Sequence, residues 1–227
     1  MSGKSNQTGD YTRTIIIGDV HGCFDELQAI LKKVAYSPQS DRLIMTGDVI
    51  SKGPYPFKTL QFCREINAEV VAGNHEYAFM LYLQGKKPPY SGFLQLKQNM
   101  LPDIEQWQEW FEHLPLFIAT SEFLVVHAGL HPSLPVEKTD PHILTTIRTW
   151  DGKGESLNCE NDPPWFDFYT GKKLVIFGHW AKRGLVVRDN VTGLDSGCVY
   201  GNDLSALILP ERKIVQVKAA QTYQQIS

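Results

Sequence analysis

The chain has 227 residues, 42% of them hydrophobic and 21% charged, with 22 lysines and arginines against 25 aspartates and glutamates and a formal net charge of -3. That balance supports a sizeable core and excludes a disordered chain, a fibre or a disulfide-held mini-protein. A mildly acidic chain also lacks the bulk positive charge of a nucleic-acid binder, so no stable nucleic-acid complex is expected, and a polyanionic ligand must be held locally, with metal cations.

Residues 1–13 are polar, rich in Ser, Gly, Gln and Thr, and lack the apolar stretch that a secretory signal or a membrane-spanning helix requires. They are expected to form a flexible tail on a soluble, cytoplasmic, monomeric protein with no membrane partner. Cys23, Cys63, Cys159 and Cys198 are scattered without C-x-x-C spacing and are expected to be reduced.

Short β-branched runs then recur, and each ends in a glycine or small residue beside an ionisable or amide side chain. Residues 14–17 end in Gly18-Asp19, residues 42–46 in Gly47-Asp48, and residues 69–72 in Gly73-Asn74-His75. Amphipathic stretches at 23–34 and 56–66 separate these runs, predicting a β-α-β-α-β opening with parallel pairing and right-handed crossovers. Helices are expected at 76–83, 94–100 and 104–113, with a loop around Lys86-Lys87-Pro88-Pro89. Two further buried strands, 123–126 and 174–177, end in His127-Ala128-Gly129 and Gly178-His179. From residue 185 onward the short runs, such as 206–209 and 214–217, predict antiparallel strands. The expectation is one α/β domain over residues 14–220 with a two-sheet core, carrying a helical insert at roughly 76–115 that caps the site.

Four of the seven histidines, His21, His75, His127 and His179, stand at or just after inferred strand ends, as do Asp19, Asp48 and Asn74. There a backbone can turn sharply and point side chains into a shared crevice. Mixed imidazole and carboxylate donors suit manganese, iron, cobalt or zinc better than calcium or magnesium. The set exceeds what one ion uses, so two ions are expected. Paired ions of this kind polarise a phosphoryl oxygen and acidify water, which points to phosphoester or phosphoanhydride hydrolysis. His113, His131 and His142 have no such setting and read as ordinary surface or core histidines.

The ordered segments Gly18-Asp19-Val20-His21-Gly22, Gly47-Asp48, Gly73-Asn74-His75-Glu76, His127-Ala128-Gly129 and Gly178-His179 resemble the signature of metallophosphoesterases of the phosphoprotein phosphatase type. More closely, Phe177-Gly178-His179-Trp180-Ala181, Pro164-Trp165-Phe166 and residues 194–201 resemble the symmetrical bis(5'-nucleosyl)-tetraphosphatases and the ApaH-like phosphatases around them. The resemblance implies a calcineurin-like β-sandwich flanked by helices. It also implies Asp19 and His21 as ligands of a first metal, Asp48 as the bridge, and Asn74, His127 and His179 as ligands of the second. His75 is then placed to protonate the leaving oxygen.

Where the family commonly reads Gly-Asp-x-x-Asp-Arg-Gly, this chain has Ser51-Lys52-Gly53-Pro54, so a mobile lysine charge replaces a bidentate fork. This departure fits the ApaH-like group and weakens the case for a protein phosphatase. Arg148 resembles the family's second phosphate-clamping arginine, and Lys182 and Arg183 are candidates for distal phosphates. Trp180, Tyr200, Tyr77 and Trp165 are candidates for stacking a nucleobase, Glu76 for orienting its own loop, and Asp195 for orienting a site histidine. The stretch between His127 and Arg148 is short for the family, which implies a more open pocket. The expected activity is hydrolysis of dinucleoside polyphosphates such as diadenosine tetraphosphate, using two divalent ions, manganese first and otherwise cobalt, iron or zinc. Alternatives are a serine/threonine-type protein phosphatase, a polyphosphate or RNA-cap hydrolase, a hydrolase of small phosphomonoesters, and an inactive scaffold, although no ligand position is lost.

Overall fold

The computed structural model describes residues 11–89 and 92–225. Most of the expected tail, residues 1–10, lies outside them, and the first strand begins at Arg13. The chain starts β1 (Arg13–Ile17), α1 (Phe24–Lys33), β2 (Asp41–Met45), α2 (Pro56–Glu65), β3 (Glu69–Val70). The parallel opening read from the sequence is present: β1 pairs with β2 in register Ile17↔Met45, and β2 with β3. Three helices follow, α3 (Asn74–Leu83), α4 (Phe93–Met100) and α5 (Ile104–Glu112). The rest of the chain forms β4 (Phe117–Ala119), β5 (Phe123–Val126), α6 (Pro141–Thr146), β6 (Leu174–Phe177), β7 (Val186–Val187), β8 (Val191–Gly193), β9 (Asp203–Leu209) and β10 (Lys213–Lys218).

The strands form two five-stranded sheets, β10-β9-β1-β2-β3 and β4-β5-β6-β8-β7. Period-two side-chain alternation decides which residues meet between them. Ile16, Ile44 and Leu207 of one sheet share a core with Val125 and Ile176 of the other. Their neighbours Ile15, Ile17, Leu43 and Met45 turn outward, onto Leu27 and Ile30 of α1 and onto Leu60 of α2. On the far side, Leu124, Val126, Val175 and Phe177 pack on Trp165, Phe166 and Leu144. The result is a β-sandwich flanked by helices, the fold class expected.

Local chemistry explains the helix ends. Helix α1 carries Asp25 and Glu26 in its first turn and Lys32 and Lys33 in its last, matching the helix dipole, and α2 starts on Pro56. Glu26 is nevertheless buried, and its Oε1 accepts from the Ala220 amide at 3.0 Å and the Tyr223 hydroxyl at 2.8 Å, holding the C-terminal segment against α1.

Three expectations needed adjustment. Strand β3 is two residues long because, although the Val71 amide still donates to the Met45 carbonyl of β2, the Ala72 amide turns away to the Pro115 carbonyl. Strand β4 and helix α6 have no counterpart among the expected elements, being too short to show a period. The late strands β9 and β10 are antiparallel as expected, but β8 joins β6 in parallel. The four cysteines are free thiols.

Candidate metal centre

Parallel strands deliver their carboxyl ends to one rim. Asp19 and His21 follow β1, Asp48 follows β2, Asn74 and His75 open α3, His127 follows β5, and His179 follows β6. Several of these turns are left-handed at non-glycine residues: His21 (φ 46°), Asp48 (φ 51°), Ser51 (φ 74°), Lys52 (φ 63°) and His179 (φ 68°). Such conformations cost of order 1–3 kcal/mol each and persist only where surroundings enforce them.

Here the enforcement is a set of main-chain bonds between loops. The His21 amide donates to the Asp48 carbonyl at 2.8 Å, and the Gly53 amide donates back to the His21 carbonyl at 2.8 Å. Gly178 allows the closest approach: a Cβ there would collide with Asp19 Oδ1 and sit 2.8 Å from Thr46 Oγ1.

Glu76 carries more of this organisation than the sequence reading gave it. Its Oε2 accepts from the Asp48 amide at 2.7 Å and the Gly73 amide at 3.0 Å, and its Oε1 accepts from Ile50 at 3.1 Å. It therefore braces the Asp48 loop as well as its own. The only sequence signal was its position, the third residue of a helix, where a carboxylate reaches back to the cap.

Two groups of donor atoms result, each with all atoms within 4.8 Å of one another: His21, Asp48 and His75, and Asp48, His127 and His179. Asp48 belongs to both. His75 joins the first group, its Nε2 3.9 Å from Asp48 Oδ2, while its amide donates to Asp48 Oδ1 at 3.0 Å. Asp19 stands between strands, accepting from the His179 amide at 2.9 Å and from Thr46 Oγ1 at 3.2 Å.

Imidazole geometry tests whether this cage suits cations. Main-chain carbonyls fix two tautomers: His21 Nδ1 donates to the Ile50 carbonyl at 3.2 Å, and His127 Nδ1 to the Thr46 carbonyl at 3.0 Å. Burial lowers the pKa of both rings, so each presents an unprotonated Nε2. That lone pair faces Asp48 Oδ2 at 3.5 Å in His21, and Asn74 Oδ1 at 3.0 Å and Asp48 Oδ1 at 3.6 Å in His127. At His21 the Lys52 ammonium, 3.0 Å from Nε2, answers the lone pair; at His127 the lone pair stands among oxygens, which repel it unless a cation sits between. His179 adds a buried Nε2 with no hydrogen-bond partner, and its Nδ1 is 2.9 Å from Asn74 Oδ1.

The carboxyls point the same way. Burial, with Asp195 and Asp48 nearby, pushes the Asp19 pKa well up; burial pushes Asp195 to about 6 and, with Asp48, pushes Glu76 to about 8. Asp48 alone is held below the usual carboxylate range: burial opposes this, and His127, His75, His21 and Lys52 outweigh it. A buried centre with four carboxyls is answered by one ammonium in direct contact, with Lys87 and the Arg148 guanidinium acting on its histidines, and divalent ions supply the further positive charge it needs.

Lys52 is that ammonium, its Nζ 3.0 Å from His21 Nε2, hydrogen-bonded to Tyr200 and 5.4 Å from the Tyr200 ring centre. Arg148 stands near enough to His127 and His179 to depress both rings, and its buried Nε has no partner. Trp180 is half-buried at the same rim, with the Arg183 guanidinium 5.6 Å from its ring centre.

Other expected residues do not gather here. Trp165 is 1% exposed and donates from Nε1 to the Ala128 carbonyl at 3.2 Å, so it is core and cannot stack a base. Lys182 is exposed and turns to Glu160, 3.8 Å away. Asp195 meets Asp19 and the Gly197 amide rather than an imidazole, because backbone carbonyls already orient the His21 and His127 rings.

The model of the calcineurin-like phosphoesterase family matches residues 12–183. A symmetrical bis(5'-nucleosyl)-tetraphosphatase of Dechloromonas aromatica (strain RCB) is 29% identical, over 92% of this chain and 97% of its own length. Its counterpart from Janthinobacterium sp. (strain Marseille) is 30% identical, over the same shares. A crystal structure described provisionally as a diadenosine tetraphosphatase is 33% identical, covers 94% of this chain and 95% of its own, and superposes with a TM-score of 0.80. No helix among the described residues is long and apolar enough to cross a membrane. With its sandwich, its strand-end donors and a family match over most of its length, the chain belongs to the calcineurin-like phosphoesterases.

Proposed function

We propose that this protein hydrolyses phosphoanhydride bonds of dinucleoside polyphosphates, diadenosine tetraphosphate above all, with two divalent ions, manganese first and otherwise cobalt, iron or zinc. One observation carries the reading: two donor groups share Asp48, and the His127 lone pair within them stands among oxygens of Asn74 and Asp48, an arrangement that a cation between them relieves. Asp19 and His21 would hold one ion, Asn74, His127 and His179 the other, and Asp48 both. When bound, the ions supply Lewis acidity toward the phosphoryl oxygens and the attacking water.

The chain's own groups do the rest. Lys52 and Arg148 bind the phosphate oxygens on which negative charge grows in the transition state. His75, with a side chain 14% exposed, stands at the open edge of the centre and hands a proton to the departing oxygen. Asp195 supports Asp19 from behind, and Tyr200 positions Lys52. Trp180 offers a stacking face at the rim, and Lys182, exposed beside it and 3.8 Å from Glu160, is free to turn to a distal phosphate. One domain over residues 14–220 carries the reaction, and residues 76–115 cap it.

The choice of substrate is supported by relatives named as symmetrical tetraphosphatases that align over 97% of their lengths, and by Ser51-Lys52 in place of an acid-arginine pair. The test is incubation of the manganese-loaded protein with diadenosine tetraphosphate and separation of the products. ADP as sole product is expected. Absence of turnover with every divalent ion, or a clear preference for a phosphopeptide at equal concentration, would overturn the reading.

A further inference from the structure

A cleft of about 640 Å³ opens directly off the metal centre. Lys52 and His75 stand at its inner end, Leu96 forms part of its wall, and Gln95, Asn99 and Gln224 supply its polar groups. Its charge is graded. The ammonium of Lys52 is the cation at the inner end, and farther out the polar side chains are uncharged amides. Asn99 also borders a second cleft of about 530 Å³, which contains the acids Glu65 and Asp103. The arginine there, Arg64, is already committed to the Trp107 ring, 4.6 Å from its centre, and to Gln106 at 3.3 Å.

A polyanion can follow this path only as far as its charges find a counter-charge. Phosphates are matched at Lys52 and unmatched at Gln95, so the part of a ligand that reaches α4 is polar and neutral. A phosphodiester chain that continued past Asn99 would run toward Glu65 and Asp103. Gln95 Nε2 donates to Asn99 Oδ1 at 3.1 Å, which leaves Gln95 Oε1 as an acceptor and Asn99 Nδ2 as a donor about one helical turn apart. Such a pair complements the mixed donor and acceptor edges of a sugar or base.

The geometry points to this cleft as the subsite for one nucleoside arm of the substrate, with the phosphates at Lys52 and the ribose and base against Gln95, Asn99 and Gln224. It rests on the dinucleoside polyphosphate reading and sharpens it, since inorganic polyphosphate has no neutral arm to place there and a capped RNA has too long a one. Gln95 and Asn99 select substrate; they do not take part in the chemistry.

The experiment compares wild type with the double variant Gln95→Ala/Asn99→Ala. Both side chains are exposed, so the fold is retained. Kinetics are measured on diadenosine tetraphosphate, inorganic tripolyphosphate and p-nitrophenyl phosphate, and ADP binding by calorimetry. With each lost hydrogen bond worth roughly two- to tenfold, KM for the dinucleotide should rise roughly five- to fiftyfold, with kcat within about twofold. The two substrates without a nucleoside should be unaffected, and ADP should bind more weakly. An unchanged dinucleotide KM, or an equal loss on all three substrates, would overturn the subsite. Failure of wild type to cleave the dinucleotide would sink the parent reading, and ADP binding would then decide the subsite: weaker in the variant supports it, equal in both proteins overturns it.

Discussion

Replacing Glu76 is expected to unseat Asp48, and with it the shared corner of the metal centre. Three buried N–H groups converge on this carboxyl, from Asp48 at 2.7 Å, Gly73 at 3.0 Å and Ile50 at 3.1 Å, and the residue is fully buried. Glu76→Ala leaves all three donors unsatisfied, at about 1–3 kcal/mol each, while relief from burying an acid returns part of that loss. The net expectation is a destabilisation of about 3 kcal/mol, or roughly 6–12 °C in Tm for a chain of this size. Glu76→Gln keeps the shape and one acceptor. With its carbonyl toward Asp48 and Gly73, its amide nitrogen meets only the Ile50 donor, so the loss should be about half as large.

Urea unfolding of the metal-free proteins measures this without mass action from bound ions, and elemental analysis after reloading counts the metals. The alanine variant should also bind less than two ions per chain, because Asp48 keeps its left-handed turn only while its amide is held. An alanine variant within about 0.5 kcal/mol of wild type, or a glutamine variant less stable than alanine, would refute the hydrogen-bond account.

Four other outcomes are expected. Asp41→Asn should cost about 2 kcal/mol at neutral pH, since buried Asp41 accepts from Arg13 at 2.7 and 2.8 Å and from the Ser37 amide at 2.8 Å. Arg13 holds the Asp41 pKa below its ordinary value, so this stabilisation is complete above the unfolded carboxylate pKa and lost as pH falls through the folded one; acid unfolding curves of wild type and variant should converge at low pH. Gly178→Ala should abolish metal retention, read by elemental analysis, because the new methyl displaces Asp19. Arg148→Ala should lower kcat roughly a hundredfold at nearly unchanged Tm, its Nε having no partner to lose. Chelation should lower Tm, with metal at a hundred times its Kd adding back about 2.7 kcal/mol.

The sequence alone determined the longer elements and which histidines and carboxylates stand at the strand ends. β-Branched runs closed by Gly18-Asp19, Gly47-Asp48, Gly73-Asn74-His75 and Gly178-His179 are local patterns, and local sterics turn them into strands that stop abruptly, in left-handed bends at Gly47-Asp48 and His179. Alternation along β1 and β2 likewise fixed which of Ile15, Ile16 and Ile17 face the second sheet.

Tertiary structure alone decided who meets whom. That Glu76 braces a loop 28 positions away, that Asp195 backs Asp19 and not a histidine, that Trp165 is core, and that amides of α4 line the way out of the centre all depend on the register of β1 against β2 and on how helices pack over the rim. Contacts between distant segments are set by the joint packing of many side chains, and no short window of sequence contains that sum.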